Sequence, residues 1–195
     1  MARNDDPIQV FLSYFEKAKS LELPYYDAMT LATATREGKP SARVVLFKGI
    51  IEQEGITFYT NYHSRKGKEL SDNPQAACVF YWPKIECQIR FEGQVKKLSD
   101  EESNIYWKTR PRDSQLGGVV SQQSQPLKNR FTFLKEFLLL KFKLIGKEVA
   151  RPQHWGGYAL TPNMAEVWLG KPHRLHRRFS YRKDAAGWYQ QELYP

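Results

Sequence analysis

Two short runs of apolar and β-branched residues predict β-strands in the first third of the chain. The runs cover residues 43–48 and 56–61, and the connection between them ends at Gly55. Two runs of about six such residues, separated by a turn signal, are typical of adjacent antiparallel strands. We therefore predict that these two segments pair with each other.

Apolar residues at helical spacing predict four helices between the strands. Asp6-Pro7 is a typical helix start, Ser64 is a good N-cap, and Ser99 with Glu102 forms a capping box. The very apolar segment 131–145 is interrupted by lysines, so we predict a packed helix there and not a membrane span. The predicted helices are residues 7–21, 65–73, 99–107 and 131–145, and residues 116–120 form either a short helix or a loop.

Further runs with alternating or continuous apolar residues bring the total to about nine short strands. Gly93, inside one long run, indicates a β-bulge or a close backbone approach. The strands follow one another in hairpins and do not alternate with helices, which favours an antiparallel barrel with helices outside it, an α+β fold. The additional predicted strands are residues 28–35, 75–81, 85–98, 155–160, 164–169, 175–181 and 188–193.

The composition indicates a basic globular protein. Of 195 residues, 41% are hydrophobic and 26% are charged, and the formal net charge is +9. This charge attracts anions, and we favour phosphorylated ligands over nucleic acid because Lys and Arg are spread among the predicted strands. The sequence contains no signal peptide and no stretch able to span a bilayer, so we expect a cytoplasmic protein without membrane association.

Neither the cysteines nor the histidines form a metal signature. Cys78 and Cys87 lie equally far from Trp82-Pro83, the predicted centre of a hairpin. They either face each other across two strands or are separate buried thiols, and a reducing compartment favours thiols. The four histidines lack accompanying cysteines or carboxylates at ligand spacing, so we expect no metal.

Cations bracket the first early run and begin the helix that follows the second. Arg43 and Lys48 lie at the two ends of the run, and Arg65 and Lys66 follow Ser64. Helix-start amides, a hydroxyl and several cationic groups beside a sheet form a suitable site for a phosphate ester. The alternative interpretation is a strand edge with ordinary exposed charges.

A second polar cluster follows the helix that starts at Ser99. Tyr106, Arg110 and Ser114 offer hydroxyl and guanidinium donors suited to one phosphate. Basic residues that merely complement a helix dipole are the alternative interpretation. The chain contains no nucleophile elbow, Walker loop or dinucleotide fingerprint, which disfavours hydrolase, nucleotide kinase and Rossmann functions.

The third cluster is strongly basic and lies near the C-terminus. Side chains alternate along a strand, so Arg174, His176 and Arg178 are predicted to share one face of the strand at 175–181. Like charges so close together repel each other, which indicates a nearby anion.

Together, these motifs resemble the pyridoxine/pyridoxamine 5'-phosphate oxidase family. Each motif is weak alone, but the set is specific and runs in the family's order from about Met29 to Pro195. The motifs are Arg43-Val-Val-Leu-Phe-Lys48, Phe58-Tyr-Thr-Asn61 with Ser64-Arg-Lys66, Arg110-Pro-Arg-Asp-Ser-Gln115, Val120-Ser-Gln-Gln-Ser124, Trp155-Gly-Gly157, and Arg174-Leu-His176 with Arg178.

The resemblance implies an antiparallel Greek-key split β-barrel with peripheral helices, forming one FMN-binding domain over residues 1–195. Residues 1–24 are expected to hold the N-terminal helix, and residues 155–195 the strands that complete the sheet and the site. A homodimer with FMN in clefts between its subunits is implied. The implied activity is oxidation of pyridoxamine or pyridoxine 5'-phosphate to pyridoxal 5'-phosphate, with molecular oxygen reduced to hydrogen peroxide.

The resemblance also assigns site residues by position. Arg174 and His176 are the expected catalytic residues, at the pyridine ring and the reacting carbon. The expected substrate contacts are Lys48, Tyr106, Arg110, Ser114, Arg174, Leu175 and His176. The expected FMN contacts are Arg43, Val44, Val45, Leu46, Phe47, Lys48, Tyr59, Thr60, Arg65, Lys66, Gln88, Gln123, Ser124, Trp168 and Arg178.

Two of the chain's departures from the family pattern are single residues. Cys87 stands where the family often has Arg, and Arg177 where it often has Asp. The competing hypotheses are another split-barrel flavoprotein, such as a flavin reductase or a phenazine-type oxidase, and a non-catalytic basic protein that binds nucleic acid. The joint presence of Arg110, Ser114 and Arg174 favours the B6 phosphate oxidase.

Overall fold

The structure, a computed structural model, describes residues 6–51 and 55–195. Within them it has five α-helices and nine β-strands, and every strand pairing is antiparallel. The helices are α1 (Pro7–Ser20), α2 (Arg65–Asp72), α3 (Asp100–Thr109), α4 (Arg112–Val120) and α5 (Arg130–Lys143). The strands are β1 (Ala28–Ala34), β2 (Pro40–Leu46), β3 (Ile50–Ile51), β4 (Gly55–Asn61), β5 (Gln75–Trp82), β6 (Cys87–Lys97), β7 (Trp155–Leu169), β8 (Arg177–Asp184) and β9 (Gly187–Leu193).

All nine strands belong to one sheet. Its order is β2-β1-β5-β6-β7-β4-β3, and β8 and β9 continue from β7. The end of the β2 segment meets β4, because Lys48 N–H donates to Thr57 O and Thr57 N–H donates to Gly49 O, each at 2.9 Å. These bonds join distant parts of the strand order, so the sheet curves into the expected antiparallel barrel.

Helix α1 closes one side of the barrel core. Asp6 caps the helix by accepting a hydrogen bond from Ile8 N–H at 2.9 Å, as the sequence predicted. The Phe11 ring lies 4.6 Å from the Phe80 ring and 5.5 Å from the Phe91 ring. This aromatic packing anchors α1 to the sheet.

A smaller apolar cluster lies beneath helices α3, α4 and α5. Its buried members are Trp107, Leu116, Val149 and Trp155, and the Trp107 indole donates to Val149 O at 2.7 Å. The short helix left open over 116–120 forms, but it begins earlier, at Arg112. These helices therefore pack beside the barrel around their own apolar cluster.

The helix predicted over residues 131–145 forms as α5, but it is packed on one side only, whereas the sequence predicted a fully packed helix. Phe137, Leu140 and Leu144 are half-buried against the smaller cluster, whereas the opposite side is exposed. No helix in the described residues has the length and apolar character needed to cross a membrane.

The predicted pairing of the two early runs was wrong. Strand β2 pairs along its whole length with β1, while β4 pairs with β7 and with the two-residue strand β3. Ile50 and Ile51 occupy the β4 edge that β2 was expected to fill. Part of the predicted connecting turn, residues 52–54, lies outside the described residues.

Strand β7 is continuous where two strands were predicted. Proline at 162 does not end it, because the register with β6 shifts between Glu92 and Gly93, opposite this point. A Cβ on Gly93 would lie 2.1 Å from Thr161 O, so the predicted bulge and close approach are both confirmed.

Cys78 and Cys87 are both buried thiols and do not face each other. Cys78 pairs with Phe91 and Cys87 with Trp82, because the turn between β5 and β6 lies two residues later than predicted. Burial raises the pKa of each thiol to about 12.

Candidate active site

An open cleft of about 800 Å³ lies between the β2–β4 side of the barrel and helices α3 and α4. It brings together most of the predicted site residues, although they come from five separate segments. The predicted residues that line it are Arg43, Val44, Val45, Leu46, Lys48, Tyr59, Thr60, Arg65, Lys66, Tyr106, Arg110, Ser114, Gln123 and Ser124.

One end of the cleft carries two arginines organised by a buried carboxylate. Glu69, on α2, accepts hydrogen bonds from Arg65 Nε at 2.8 Å and from Arg43 Nη2 at 3.3 Å. Ser41 and Thr33 also donate to it. Burial alone would raise the pKa of Glu69, but these four partners outweigh it and lower the pKa to about 2.

Lys66 is buried beside these arginines without direct hydrogen bonding to a carboxylate in the described residues. Its ammonium group donates to Thr60 Oγ1 at 3.0 Å and lies 3.3 Å from both Ser64 Oγ and Gln123 Oε1. Burial, reinforced by the positive charge of Arg43, lowers the pKa of Lys66 to about 8. A buried cation with neutral partners is well suited to receive an anion.

The predicted N-cap positions this lysine. Ser64 accepts a hydrogen bond from Gly67 N–H at 3.3 Å and starts α2 at Arg65. A Cβ on Gly67 would lie 2.2 Å from Tyr62 O, so only glycine lets the first turn of α2 pack this closely against the end of β4.

Arg110 presents a second cationic group to the cleft. Its guanidinium lies 4.4 Å from the Trp155 ring centroid and 5.1 Å from that of Trp107. Its Nη1 is buried and has no hydrogen-bond partner in the described residues. Burial lowers the pKa of Arg110. The geometry leaves this donor available for a ligand oxygen.

Three stacked aromatic rings form a wall beside Arg110. The Tyr59 and Tyr106 ring centroids are 3.8 Å apart, and Tyr59 lies 5.6 Å from Trp155. Burial, with Tyr106 nearby, raises the pKa of Tyr59 to about 12. The Tyr59 phenol therefore serves as a neutral donor near pH 7.

Lys48 lies at the cleft margin and is held by a carboxylate. Its ammonium group is 3.0 Å from Asp27 Oδ2. Lys48 follows β2, which lines the cleft from Ser41 to Leu46.

The Phe47 side chain, predicted as an FMN contact, lies outside the cleft. Phe47 is buried in the barrel core, where its ring lies 5.0 Å from Phe15 and 5.2 Å from Phe11. The sequence run 43–48 was treated as one contact surface, but alternation turns this aromatic ring inward. Its backbone alone remains a candidate contact.

Four other predicted residues form a second group on the β6–β7–β8 part of the sheet and do not line this cleft. Gln88 pairs with Trp168, Trp168 pairs with Arg178, and the His176 ring lies 4.6 Å from that of Trp168. Arg178 is bound to Glu166, with Nε to Oε1 at 2.9 Å. That ion pair raises the pKa of Arg178.

The predicted strand face shared by Arg174, His176 and Arg178 does not exist. A single turn of 3₁₀ helix, Pro172–Arg174, precedes β8, and Arg174 has a φ of 61°. His173 and Arg174 both have a positive φ, which an extended strand does not allow, so β8 begins only at Arg177. Arg174 and Leu175 are exposed at this turn. Glu166 supplies the negative charge that the sequence argument expected from a ligand.

Sequence reasoning missed several residues of the cleft. Glu69 was overlooked, although its position four residues after Arg65 on a helix is a recognisable pairing signal. Trp155 was noted only as part of a motif. Asn61 and Ser121, likewise noted only as parts of motifs, also line the cleft. Ser41 lines it too, and no signal in the sequence distinguished this serine from other polar residues. Within the described ranges, no group of His, Cys, Asp or Glu residues is arranged to hold a metal ion.

Curated relatives resemble the chain over nearly its whole length. A protein of Acaryochloris marina named pyridoxine/pyridoxamine 5'-phosphate oxidase is 46% identical over 192 residues, covering 98% of this chain and 87% of that protein. A protein of the same name from Salinibacter ruber is 46% identical, covering 98% of this chain and 90% of its own length.

Solved structures share the fold. PhzG from Burkholderia lata, crystallised with tetrahydrophenazine-1-carboxylic acid, has a TM-score of 0.93 and 31% identity, covering 99% of this chain and 94% of that one. An FMN-binding protein from Nostoc punctiforme described as pyridoxamine 5'-phosphate oxidase-related has a TM-score of 0.77 at 19% identity, with full coverage of both chains. At 19% identity, the similarity to the Nostoc punctiforme protein shows a shared fold only.

Two family models together match most of the chain. Residues 15–142 match the pyridoxamine 5'-phosphate oxidase model, and residues 155–195 match the model of the pyridoxine 5'-phosphate oxidase C-terminal dimerisation region. The first match contains the cleft residues through Ser124 and also Gln88, and the second contains Trp168, His176 and Arg178 of the second group. The chain belongs to the pyridoxamine 5'-phosphate oxidase family.

Proposed function

We propose that this protein is an FMN-dependent oxidase that converts pyridoxamine 5'-phosphate and pyridoxine 5'-phosphate to pyridoxal 5'-phosphate. At its 4' position the substrate loses two electrons and two protons, one proton from the carbon and one from the attached nitrogen or oxygen. Molecular oxygen takes up both and becomes hydrogen peroxide, and the amine substrate also consumes water and releases ammonia. Bound FMN supplies the two-electron chemistry, so the protein needs no nucleophile of its own.

The unpartnered guanidinium of Arg110 is the observation that carries this proposal. Arg110 is half-buried against two tryptophans, and its buried donor Nη1 has no partner in the described residues. A cationic donor that is buried without a partner is costly unless an anion binds it. Tyr106 and Ser114 line the same cleft and can add hydroxyl donors to a substrate phosphate.

The other cationic end of the cleft fits the phosphate of FMN. Lys66 is held by neutral oxygens, and Arg43 and Arg65 share a single carboxylate. Two arginines and a lysine against one carboxylate leave an excess of positive charge, which suits a phosphate dianion. Gln123 and Ser124 line the cleft beside them. Two phosphorylated molecules thus have separate sets of donors.

We further propose that the site is completed by a second subunit. Gln88, Trp168, Arg174, His176 and Arg178 do not line the cleft of their own protomer, and four of them lie in the segment that matches the dimerisation region. Apolar β2 residues in the cleft wall are exposed, with Val44 at 65% and Leu46 at 43%. A homodimer that covers these side chains would bring the partner's group to the open side of the cleft.

The residues of this second group have distinct roles in the proposal. Lys171 N–H donates to His176 Nδ1 at 3.2 Å, so a neutral His176 carries its proton on Nε2. That proton is free to hydrogen-bond the 4' substituent of the substrate. The exposed guanidinium of Arg174 can lie over the pyridine ring and hold its plane, which is a positioning effect on the reacting carbon.

The purified protein with added FMN tests this function. We expect a flavin absorption spectrum that persists after gel filtration, and formation of pyridoxal 5'-phosphate with an equal amount of peroxide when pyridoxamine 5'-phosphate is added in air. Bound FMN without turnover of either B6 phosphate would contradict the proposed activity. Absence of FMN binding, with salt-dependent DNA binding, would favour the nucleic-acid hypothesis.

A phenazine-type oxidase is the second candidate, because the PhzG structure superposes with a TM-score of 0.93. Arg110→Ala separates the two functions, since it removes a donor for the phosphate that phenazine carboxylates lack. We expect the variant to raise KM for pyridoxamine 5'-phosphate by roughly 10- to 100-fold, the effect of losing a charged hydrogen bond. Steady-state kinetics measure this. An unchanged KM would argue against a phosphate at Arg110.

A further inference from the structure

The outward side of α5 is an exposed apolar surface. Four large apolar residues of the helix, together with Ile145 in the turn that follows it, are spaced three or four positions apart along this side. Phe131 is 74% exposed, Phe142 69% and Ile145 68%. Leu134 and Leu138 complete the surface, and none of the five lines the cleft. We call these five residues the α5 outer face.

The orientation of α5 is fixed by its opposite side. Leu140 and Leu144 pack on the smaller apolar cluster, and Arg112 donates hydrogen bonds to the carbonyls of Leu144 and Lys147. Lys141 forms an ion pair with Asp113 at 2.9 Å. The helix therefore cannot turn its outer face inward without breaking these contacts.

Basic side chains border the outer face on both flanks. Between positions 128 and 147 the chain has six Lys or Arg residues and a single acidic residue, Glu136. At helical spacing, Arg130 and Lys141 fall on one side of the face, and Lys135 and Lys143 on the other. The surface thus combines exposed apolar area with an excess of positive charge.

We propose that the α5 outer face binds the surface of an anionic lipid bilayer. A helix with Phe and Leu on one side and flanking lysines can lie in the headgroup region, with lysine stems extending along the apolar surface and their ammonium groups on lipid phosphates. A second copy of the chain is a poor occupant, because symmetric pairing would bring the two basic borders together.

The shape and position of the surface support a bilayer. The face is a convex ridge along one helix of 14 residues, which presents its apolar side chains to a flat partner. It lies outside residues 155–195, the segment that matches the dimerisation region. Binding through α5 would therefore leave both the cleft and that segment free.

Co-sedimentation of the FMN-loaded protein with lipid vesicles tests this proposal. The probes are vesicles of phosphatidylcholine alone and of phosphatidylcholine mixed with phosphatidylglycerol. We expect binding to the mixed vesicles only, weakened by salt. The double variant Leu134→Gln, Leu138→Gln keeps the net charge and should bind at least about tenfold more weakly, because it removes apolar area from the contact.

The matched control is the double variant Leu21→Gln, Ile105→Gln, which changes two exposed apolar residues elsewhere. It should bind like the unchanged protein, and all three proteins should oxidise substrate at the same rate without vesicles. Equal binding by both double variants would show attraction by net charge alone and overturn the proposal. The proposal would also be overturned if the protein bound no vesicles at all. It would be overturned, too, if the protein formed assemblies larger than a dimer that only the α5 variant abolished.

Discussion

At the scale of single residues, Glu69 stabilises the cationic end of the cleft, and its stability contribution depends on pH. The carboxylate is buried and binds four donors, which hold its pKa near 2, below the ordinary 4.5. Its contribution is therefore complete above pH 4.5 and is lost as the pH falls towards 2. We expect Glu69→Gln to lower the free energy of unfolding by roughly 1–3 kcal/mol at pH 7.

Denaturant unfolding at several pH values measures this effect. The difference between the unchanged protein and Glu69→Gln should shrink between pH 4.5 and pH 2. The control is Glu16→Gln, because the Glu16 side chain is 64% exposed and forms only an exposed ion pair with Lys19. A difference that stays constant down to pH 2 would contradict the assigned role of Glu69.

Lys66 should make FMN binding sensitive to alkaline pH. Its pKa is lowered to about 8 in the protein without a ligand, and a bound phosphate would raise that pKa by favouring the charged form. FMN affinity should therefore be constant between about pH 7 and pH 8, where the phosphate is a dianion, and fall as the pH rises above 8. Quenching of FMN fluorescence on binding measures the affinity.

Lys66→Arg is the matched variant for this pH test, since arginine stays charged throughout the range. It should bind FMN without the decline above pH 8. A decline of equal size in both proteins would show that another group titrates and that Lys66 does not contact the phosphate.

The sequence identified these cations more readily than their partners. A helix start after Ser64 was enough to predict that Arg65 and Lys66 lie together at a strand end. Glu69 binds Thr33, Ser41 and Arg43, and those contacts arise only when β1, β2 and α2 pack together. Long-range packing of this kind leaves no local pattern in the chain.

At the scale of elements, the close contact between α2 and the end of β4 determines where the first turn of α2 lies. Gly67→Ala would place a Cβ within 2.2 Å of the Tyr62 carbonyl, which is backbone and cannot rotate away. We expect a loss of roughly 1–3 kcal/mol in unfolding free energy and weaker FMN binding, because Arg65 and Lys66 move with that turn.

Thermal unfolding with and without FMN checks this expectation. Gly117→Ala is the control, because a Cβ there meets open space within α4, and alanine should be neutral or slightly stabilising. If Gly67→Ala unfolds like the unchanged protein and binds FMN normally, the contact with β4 is not what positions α2.

Signals between neighbouring residues predicted most elements. The errors occurred where pairing with a distant strand determines the extent or the partner of an element. The caps Asp6, Ser64 and Ser99 were correct because capping depends on neighbouring residues. The partner of β2 and the continuity of β7 through Pro162 depend on which distant strand lies alongside. The start of β8 was missed for another reason: the turn at Arg174 has an unusual backbone conformation.

At the scale of the whole molecule, the predicted site residues divide into two groups that one protomer does not join. Arg110 and Lys66 line the cleft, whereas Arg174 and His176 lie by the β7–β8 turn. A resemblance along the sequence lists both groups without saying which subunit each belongs to. Assembly is therefore the part of the site that the single chain does not specify, and the proposed dimer supplies it.

Mixed dimers of two impaired variants test this account most directly. Arg110→Ala and Arg174→Ala each damage one group, so each variant alone should have little activity at a pyridoxamine 5'-phosphate concentration far below the raised KM of Arg110→Ala. If every site takes Arg110 from one subunit and Arg174 from the other, a mixed dimer contains one intact site and one doubly altered site. Random mixing by co-expression makes half of the dimers mixed.

The measurement is the rate of pyridoxal 5'-phosphate formation by the co-expressed variants, compared with each variant alone and with the unchanged protein. We predict recovery to about a quarter of the unchanged rate per subunit. No recovery, with mixed dimers demonstrated by differently tagged subunits, would show that Arg110 and Arg174 serve the same site from one chain, or serve no common site, and would contradict the account.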